Sequence, residues 1–184
     1  ASEAQGEWAD APPAQRAAVI QQFLQVLQEH DDAVADLLAH EVGGSAIMGE
    51  TSIQIASDHA GEAATLPRRM KGEHAESNIP GKENTVERGP KGVVTVISPW
   101  NFPLNLSARA VLPAIAAGNS VVLKPSTNSP ITGGLLFAKL FEQTDLPPGV
   151  LNVVTGRGSE IGDRVASHPE SDVVSFTGST AVGQ

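Results

Sequence analysis

The sequence predicts an α/β fold in which amino-terminal helices precede a doubly wound parallel sheet. Three observations predict it. Residues 12–70 are rich in Ala, Gln, Leu and Glu, with apolar residues at helical spacing. Short β-branched runs, first Val93-Val94-Thr95-Val96-Ile97 and then Val121-Val122-Leu123, are apolar at consecutive positions, as strands covered on both faces are. Helical patterns separate these runs from one another and from two later ones, and strands alternating with helices build a parallel sheet with right-handed crossovers.

The elements follow in order. Asp10 offers an N-cap and Pro12 a first-turn proline for a helix whose Val19, Ile20, Phe23, Val26 and Leu27 share one face. Asp31 or Asp32 caps a second helix carrying Val34, Leu37 and Leu38, which stops at Gly43-Gly44, and a third runs from about Ser45 to near Leu66. Such stripes read as packing surfaces. From Asn78 to Gly92 the character changes: Gly81, Gly89 and Pro90 punctuate polar residues with a short extended piece over 84–86. This is either an irregular linker or a hairpin that pairs with another element or subunit.

Strand 93–97 then leads into a helix from about Leu104 to Ala117, kinked at Pro113 and closed by Gly118. Strand 121–124 is followed by a helix with Ser129 as N-cap and Pro130 at N1, running to about Gln143. Strand 150–154, a helix from Gly156 to about Ser167 and strand 172–176 complete the alternation. The expected organisation is a helical part over 1–77, a hairpin-like segment over 78–92, and a doubly wound parallel-sheet part, truncated, over 93–184.

Length and composition narrow the function. At 184 residues and 40% hydrophobic content the chain can bury one ordinary core. A formal charge of −9 with scattered Lys and Arg argues against nucleic acid as a partner, because phosphate binding needs clustered cations. With no Cys there is no disulfide, thiolate metal site or Cys nucleophile in these residues. The five His, at 30, 40, 59, 74 and 168, lack ligand spacing, so no metal is expected. No run approaches a bilayer span and the first residues lack an export pattern, so the expected location is cytoplasmic, away from membranes. The first residue is not Met and residues 179–184 read as an opening helical turn, so the chain is expected to be cut at both ends.

Chemistry is expected where the strands end, because open parallel sheets bind ligands at their carboxyl edge. The first run ends in Ser98-Pro99-Trp100-Asn101-Phe102-Pro103 and the second in Lys124-Pro125-Ser126. The Asn101 amide suits a developing oxyanion, or else it stabilises a turn. Lys124 suits ribose hydroxyls or a phosphate, or else it is a solvated charge. Phe176-Thr177-Gly178-Ser179-Thr180 reads as strand, tight turn and helix start, suited to a pyrophosphate or to ordinary capping. Gly156, Gly158 and Gly162 form GxGxxxG, one residue longer than the dinucleotide fingerprint, and read equally as a packing turn.

Together, the segments 98–103, 124–126 and 176–180 closely resemble, in order and spacing, the aldehyde dehydrogenase superfamily, and the resemblance extends over the whole chain. It implies oxidation of an aldehyde to a carboxylic acid with NAD or NADP, through a Cys thiohemiacetal and a thioester hydrolysed by Glu-activated water. By motif match Asn101 is the side-chain donor of the oxyanion hole. Pro99 and Trp100 line the cofactor groove, and Lys124 binds the adenosine ribose or its phosphate. Gly178, Ser179 and Val182 hold the pyrophosphate and adenine region, with Gly156 flanking the adenine. Ile97, Ser98, Ser126, Thr127, Phe176 and Thr177 belong to the same strand ends and complete the cofactor set.

Two departures stand out. Thr127 occupies a position where many NAD-preferring members have Glu, which removes a repulsion from a 2′-phosphate and predicts that NADP is accepted. The catalytic Cys and the Glu base are absent, so these residues alone are expected to be inactive. The intact protein is expected to be a homodimer or homotetramer acting on a small aldehyde that the sequence does not specify. A non-catalytic dinucleotide-binding or regulatory protein on the same fold is the alternative. A different oxidoreductase or a flavodoxin-like domain would carry a glycine fingerprint where Ser98-Pro99-Trp100 stands.

Overall fold

A computed structural model describes residues 1–183. Four helices come first: α1 (Ser2–Asp10), α2 (Pro13–Glu29), α3 (Asp31–Val42) and α4 (Ala46–Arg69). The sequence reading has no counterpart to α1, whose one buried residue, Trp8, donates its indole N–H to the Ile115 carbonyl at 2.9 Å. Asp10 ends α1 and does not cap α2; Pro12 is the N-cap and Pro13 occupies N1. Asp31 and Asp32 lie inside the first turn of α3, where carboxylates favour the helix dipole, and His30 is the cap. Gly43, at φ 69, closes α3, a conformation that suits glycine. Ser45, where the helix was expected to begin, caps α4 by accepting from the Met48 N–H, and the helix continues past Leu66 with Pro67 in its last turn.

The hairpin starts earlier than expected. Strands β1 (Glu73–Glu76) and β2 (Glu83–Val86) pair antiparallel, so the ribbon begins before Asn78. Both strands are exposed along their whole length. Period-2 patterning arises only when one face is buried, so β1 gives no such signal.

The main sheet comprises β3 (Val93–Ile97), β4 (Ser120–Lys124), β5 (Leu151–Val153) and β6 (Val173–Phe176). The order is β5-β4-β3-β6, and every pairing is parallel. Helix α5 (Pro103–Ala116) joins β3 to β4 as one continuous element through Pro113, and Gly118 at φ 91 turns the chain into the next strand. The two later connections open as π-helical turns, Ile131–Leu135 before α6 (Leu136–Phe141) and Gly158–Gly162 before α7 (Asp163–Ala166). The expected Ser129 cap is not made: Pro130 is the N-cap position, and among the described residues the buried Ser129 hydroxyl has no partner. A short α8 (Thr180–Gly183) follows β6.

The core sits between one face of the sheet and the helical layer. Val94, Val96, Val121 and Leu123 belong to the same buried cluster as Leu104, Ala108, Val111, Leu112 and Ile115 of α5. Phe23 of α2 stacks on Phe137 at 5.8 Å and meets Phe141 at 4.6 Å, bringing α2 onto α6. Each fully buried Leu, Ile or Phe contributes on the order of 1.5–3 kcal/mol. α2 and α4 thus brace α5, the helix that leaves the Asn101 turn.

Candidate functional site

The chain builds β4 and β5 on one side of β3 and then returns to lay β6 on the other. The reversal is a topological switch point, the place where open α/β sheets bind ligands. Register puts Ile97 beside Lys124 on one flank and beside Phe176 on the other. Three motifs far apart in sequence therefore end in one row across the carboxyl edge. The GxGxxxG stretch follows β5, the outer strand, and so lies away from the switch point.

At the centre, residues 98–102 turn from β3 into α5. Pro103 at N1 supplies the fixed φ of a first helical residue, and Leu106 N–H bonds the Phe102 carbonyl at 3.0 Å. Asn101 is exposed, and among the described residues its amide makes no hydrogen bond. A turn-stabilising Asn would spend that amide on nearby backbone; this one is left available. Trp100 is 53% exposed and Pro99 is half-buried. Ser98 is buried at 3% exposure, and its hydroxyl lies 2.7 Å from that of Ser107. Its side chain is committed inside the protein.

Lys124 is only 4% exposed, an unusual position for a lone ammonium. Its Nζ donates to the Pro125 carbonyl at 2.9 Å, and no carboxylate pairs with it among the described residues. Burial pushes its pKa below the ordinary lysine value. A buried cation with spare donors fits ribose hydroxyls or a phosphate. Beyond it, the Ser126 hydroxyl accepts from Asn128 N–H at 3.2 Å, and Thr127 is exposed.

On the other flank Thr177 N–H bonds the Ile97 carbonyl at 3.0 Å, extending the sheet by one rung before Gly178. A Cβ on Gly178 would stand 2.5 Å from Phe176 Cζ, so the ring lies against bare backbone. The amides of Val182 and Gly183 bond the Ser179 carbonyl at 3.1 and 3.2 Å, opening α8. Neither the Ser179 nor the Thr180 hydroxyl is bonded among the described residues, and Val182 is 73% exposed. Half-buried Gly156 lies over the Ile161 side chain beyond β5. These surfaces offer donors and a flat glycine path for a dinucleotide.

The sequence reading missed Arg109, Glu41 and Ser107. Arg109, two turns into α5, is exposed and places a guanidinium nitrogen 3.5 Å from the Thr177 hydroxyl. Burial first and then the Arg109 charge lower the pKa of His59 on α4, with Asp58 opposing. Glu41 of α3 reaches the Ile131 and Thr132 amides at 2.7 Å each. Ser107 bonds both Ser98 and the Gly133 carbonyl. No local pattern marks these three, since each acts on a distant segment.

Other surfaces carry less. An apolar cavity of about 380 Å³ lies between α7 and the second face of the sheet, and none of the candidate residues line it. Among the described residues no cluster of His, Asp or Glu is placed to hold a metal, and no helix is long and apolar enough to cross a membrane.

A family model described as "Aldehyde dehydrogenase family" matches residues 1–184. The vanillin dehydrogenase of Corynebacterium glutamicum is 47% identical over 184 residues, covering 100% of this chain and 38% of that protein. The crystal structure of an NAD-dependent benzaldehyde dehydrogenase from Corynebacterium glutamicum superposes with a TM-score of 0.96 at 48% identity, over 100% of this chain and 40% of that one. A 3,6-anhydro-L-galactose dehydrogenase solved in complex with NAP superposes with a TM-score of 0.95 at 38% identity, over 100% and 38% respectively. The chain thus spans about two fifths of the length of the relatives it matches.

Proposed function

The chain belongs to the aldehyde dehydrogenase family, and on that premise we propose that it is the cofactor-binding part of an enzyme that oxidises an aldehyde to a carboxylic acid with NAD or NADP. The observation that carries the reading is the row Lys124, Ile97, Phe176 at the switch point, with the unengaged Asn101 amide beside it. The dinucleotide supplies hydride acceptance. This chain's residues bind and orient: Lys124 donates to the adenosine ribose or its phosphate, and Gly178 and Ser179 accept the pyrophosphate against bare backbone. Pro99 and Trp100 form the wall of the groove, and Val182 and Gly156 flank the adenine.

Asn101 donates its amide N–H to the oxygen of the aldehyde as negative charge gathers there. The nucleophile is a Cys and the water-activating base a Glu, both outside these residues, which contain no Cys. The purified 184 residues are accordingly inactive in aldehyde oxidation. Aldehyde and water are consumed, acid and reduced cofactor are released, and a proton leaves with them.

The exposed β1–β2 ribbon is the oligomerisation element, since an isolated two-stranded hairpin is marginal in water and gains by pairing with a second subunit. The intact protein is a homodimer or homotetramer in the cytoplasm, and its parts follow the sequence division at 1–77, 78–92 and 93–184 with the first boundary moved ahead of Glu73, so that β1 and β2 stay in one part. Its substrates are small aldehydes, with aromatic ones first in line because the relatives named above include vanillin and benzaldehyde dehydrogenases. Formation of reduced cofactor by the complete protein with a panel of aldehydes tests this. Dinucleotide binding without turnover on any aldehyde would favour a regulatory protein instead.

A further inference from the structure

The Ser107 hydroxyl lies 2.7 Å from the Ser98 hydroxyl and 2.7 Å from the Gly133 carbonyl oxygen. Ser107 and Ser98 are both buried. A carbonyl only accepts, so the single hydroxyl proton of Ser107 goes to Gly133, and Ser107 in turn accepts from Ser98. The order of donation runs Ser98, Ser107, Gly133.

Each end of this relay touches one half of the candidate site. Ser98 donates its backbone N–H to the Lys124 carbonyl at 3.2 Å and begins the turn that carries Asn101. Gly134, next to Gly133, presses on Pro125, the residue after Lys124: a Cβ on Gly134 would stand 2.5 Å from Pro125 Cγ. Ser107 itself sits on α5, the helix into which the Asn101 turn runs.

The geometry points to Ser107 as a positioning residue that holds the Asn101 turn at a fixed separation from the Lys124 loop, so that oxyanion donor and cofactor clamp form one rigid unit. This rests on the roles given above to Asn101 and Lys124. A fully buried hydroxyl with both partners inside the protein does not touch substrate, and its effect on the reaction passes through the segments it joins.

The test is a double-mutant cycle in the complete enzyme. Ser107→Ala is expected to lower kcat about tenfold or more, because small displacements of an aligned group cost that much, while the aldehyde KM changes by less than about twofold. In an Asn101→Ala background the same substitution costs nothing further in kcat, since the donor it positions is gone. Ser98→Ala breaks the link to the turn but leaves Ser107 bonded to Gly133. It should reproduce the kcat loss with a smaller fall in melting temperature, and it carries the test if Ser107→Ala does not fold. Equal kcat losses in both backgrounds, or a lower melting temperature with unchanged kcat, overturn the proposal. An Asn101→Ala enzyme with unchanged kcat would instead remove the role of Asn101, and the positioning role with it.

Discussion

Glu41 and Thr132, 91 positions apart, meet where α3 ends and the π-helical turn before α6 begins, the Glu41 carboxylate accepting from the Thr132 amide at 2.7 Å. It also accepts from the Thr132 hydroxyl and, at 2.7 Å, from the Ile131 amide. A carboxylate at that helix start satisfies free N–H groups and meets the positive end of the dipole. Glu41→Ala should therefore lower stability by about 2 kcal/mol, with Glu41→Gln intermediate, as read from denaturant midpoints. Equal stability of all three proteins would show that water caps this turn as well as Glu41 does.

Two glycine substitutions should move stability in opposite directions. Gly134→Ala drives a Cβ into the rigid Pro125 ring and should cost about 1–3 kcal/mol. Gly61→Ala, inside α4 with open space around its Cβ, should stabilise by about 0.5–1 kcal/mol through the lower entropy of the unfolded chain. Melting temperatures of the two variants against the parent decide it.

Lys124 should make cofactor binding sensitive to alkaline pH. Burial lowers its pKa in the free protein, so its charge is lost at a lower pH than for an ordinary lysine. Dinucleotide affinity should weaken as pH rises through that lowered value, and binding should be accompanied by proton uptake there. The same shift means that the buried charge opposes folding at neutral pH, an opposition relieved as pH climbs toward the unfolded value. Lys124→Met should weaken binding about tenfold at neutral pH and flatten the pH dependence. Titration of Trp100 fluorescence with the dinucleotide would report both.

Thr127 should set cofactor choice. Thr127→Glu places a carboxylate near the ribose and should lower kcat/KM for NADP by about tenfold while leaving NAD less affected. A wild-type enzyme with a strong preference for NAD would already contradict the expectation that Thr127 admits the phosphate.

His59 should destabilise the fold in mild acid. Its folded pKa lies below 6.5 because of burial and the Arg109 charge, so the unfolded chain binds its proton first as pH falls. Stability should drop as pH falls from about 6.5 through the lowered folded value, then level off. His59→Asn should remove that step, and Arg109→Gln should make it smaller by raising the pH at which it levels off. Melting temperature against pH in the three proteins is the measurement.

Much of the fold was legible in sequence because consecutive apolar residues and helical stripes are local signals of burial. β3 spans the expected residues 93–97, and all five stripe residues of α2 are buried. α1 escaped because it buries a single residue, Trp8, and one anchor makes no periodic stripe. The hairpin began early because a strand exposed on every side has no alternating pattern. The buried hydroxyl of Ser129 looked like a cap, yet the carboxylate of Glu41, arriving from another helix, provides the acceptors instead. A charged acceptor is the stronger one.

The sequence by itself determined the α/β alternation, the strand ends at Ile97, Lys124 and Phe176, and the residue types gathered there. Only the tertiary structure decided that these three ends stand in one row, that Lys124 is buried without a carboxylate among the described residues, and that Ser98 spends its hydroxyl on Ser107 instead of facing the groove. Periodicity records whether a residue is covered and is blind to what covers it. Strand order and hydrogen-bond partners depend on crossovers and packing between residues far apart in the chain, and these exist only once the helical layer has closed over the sheet.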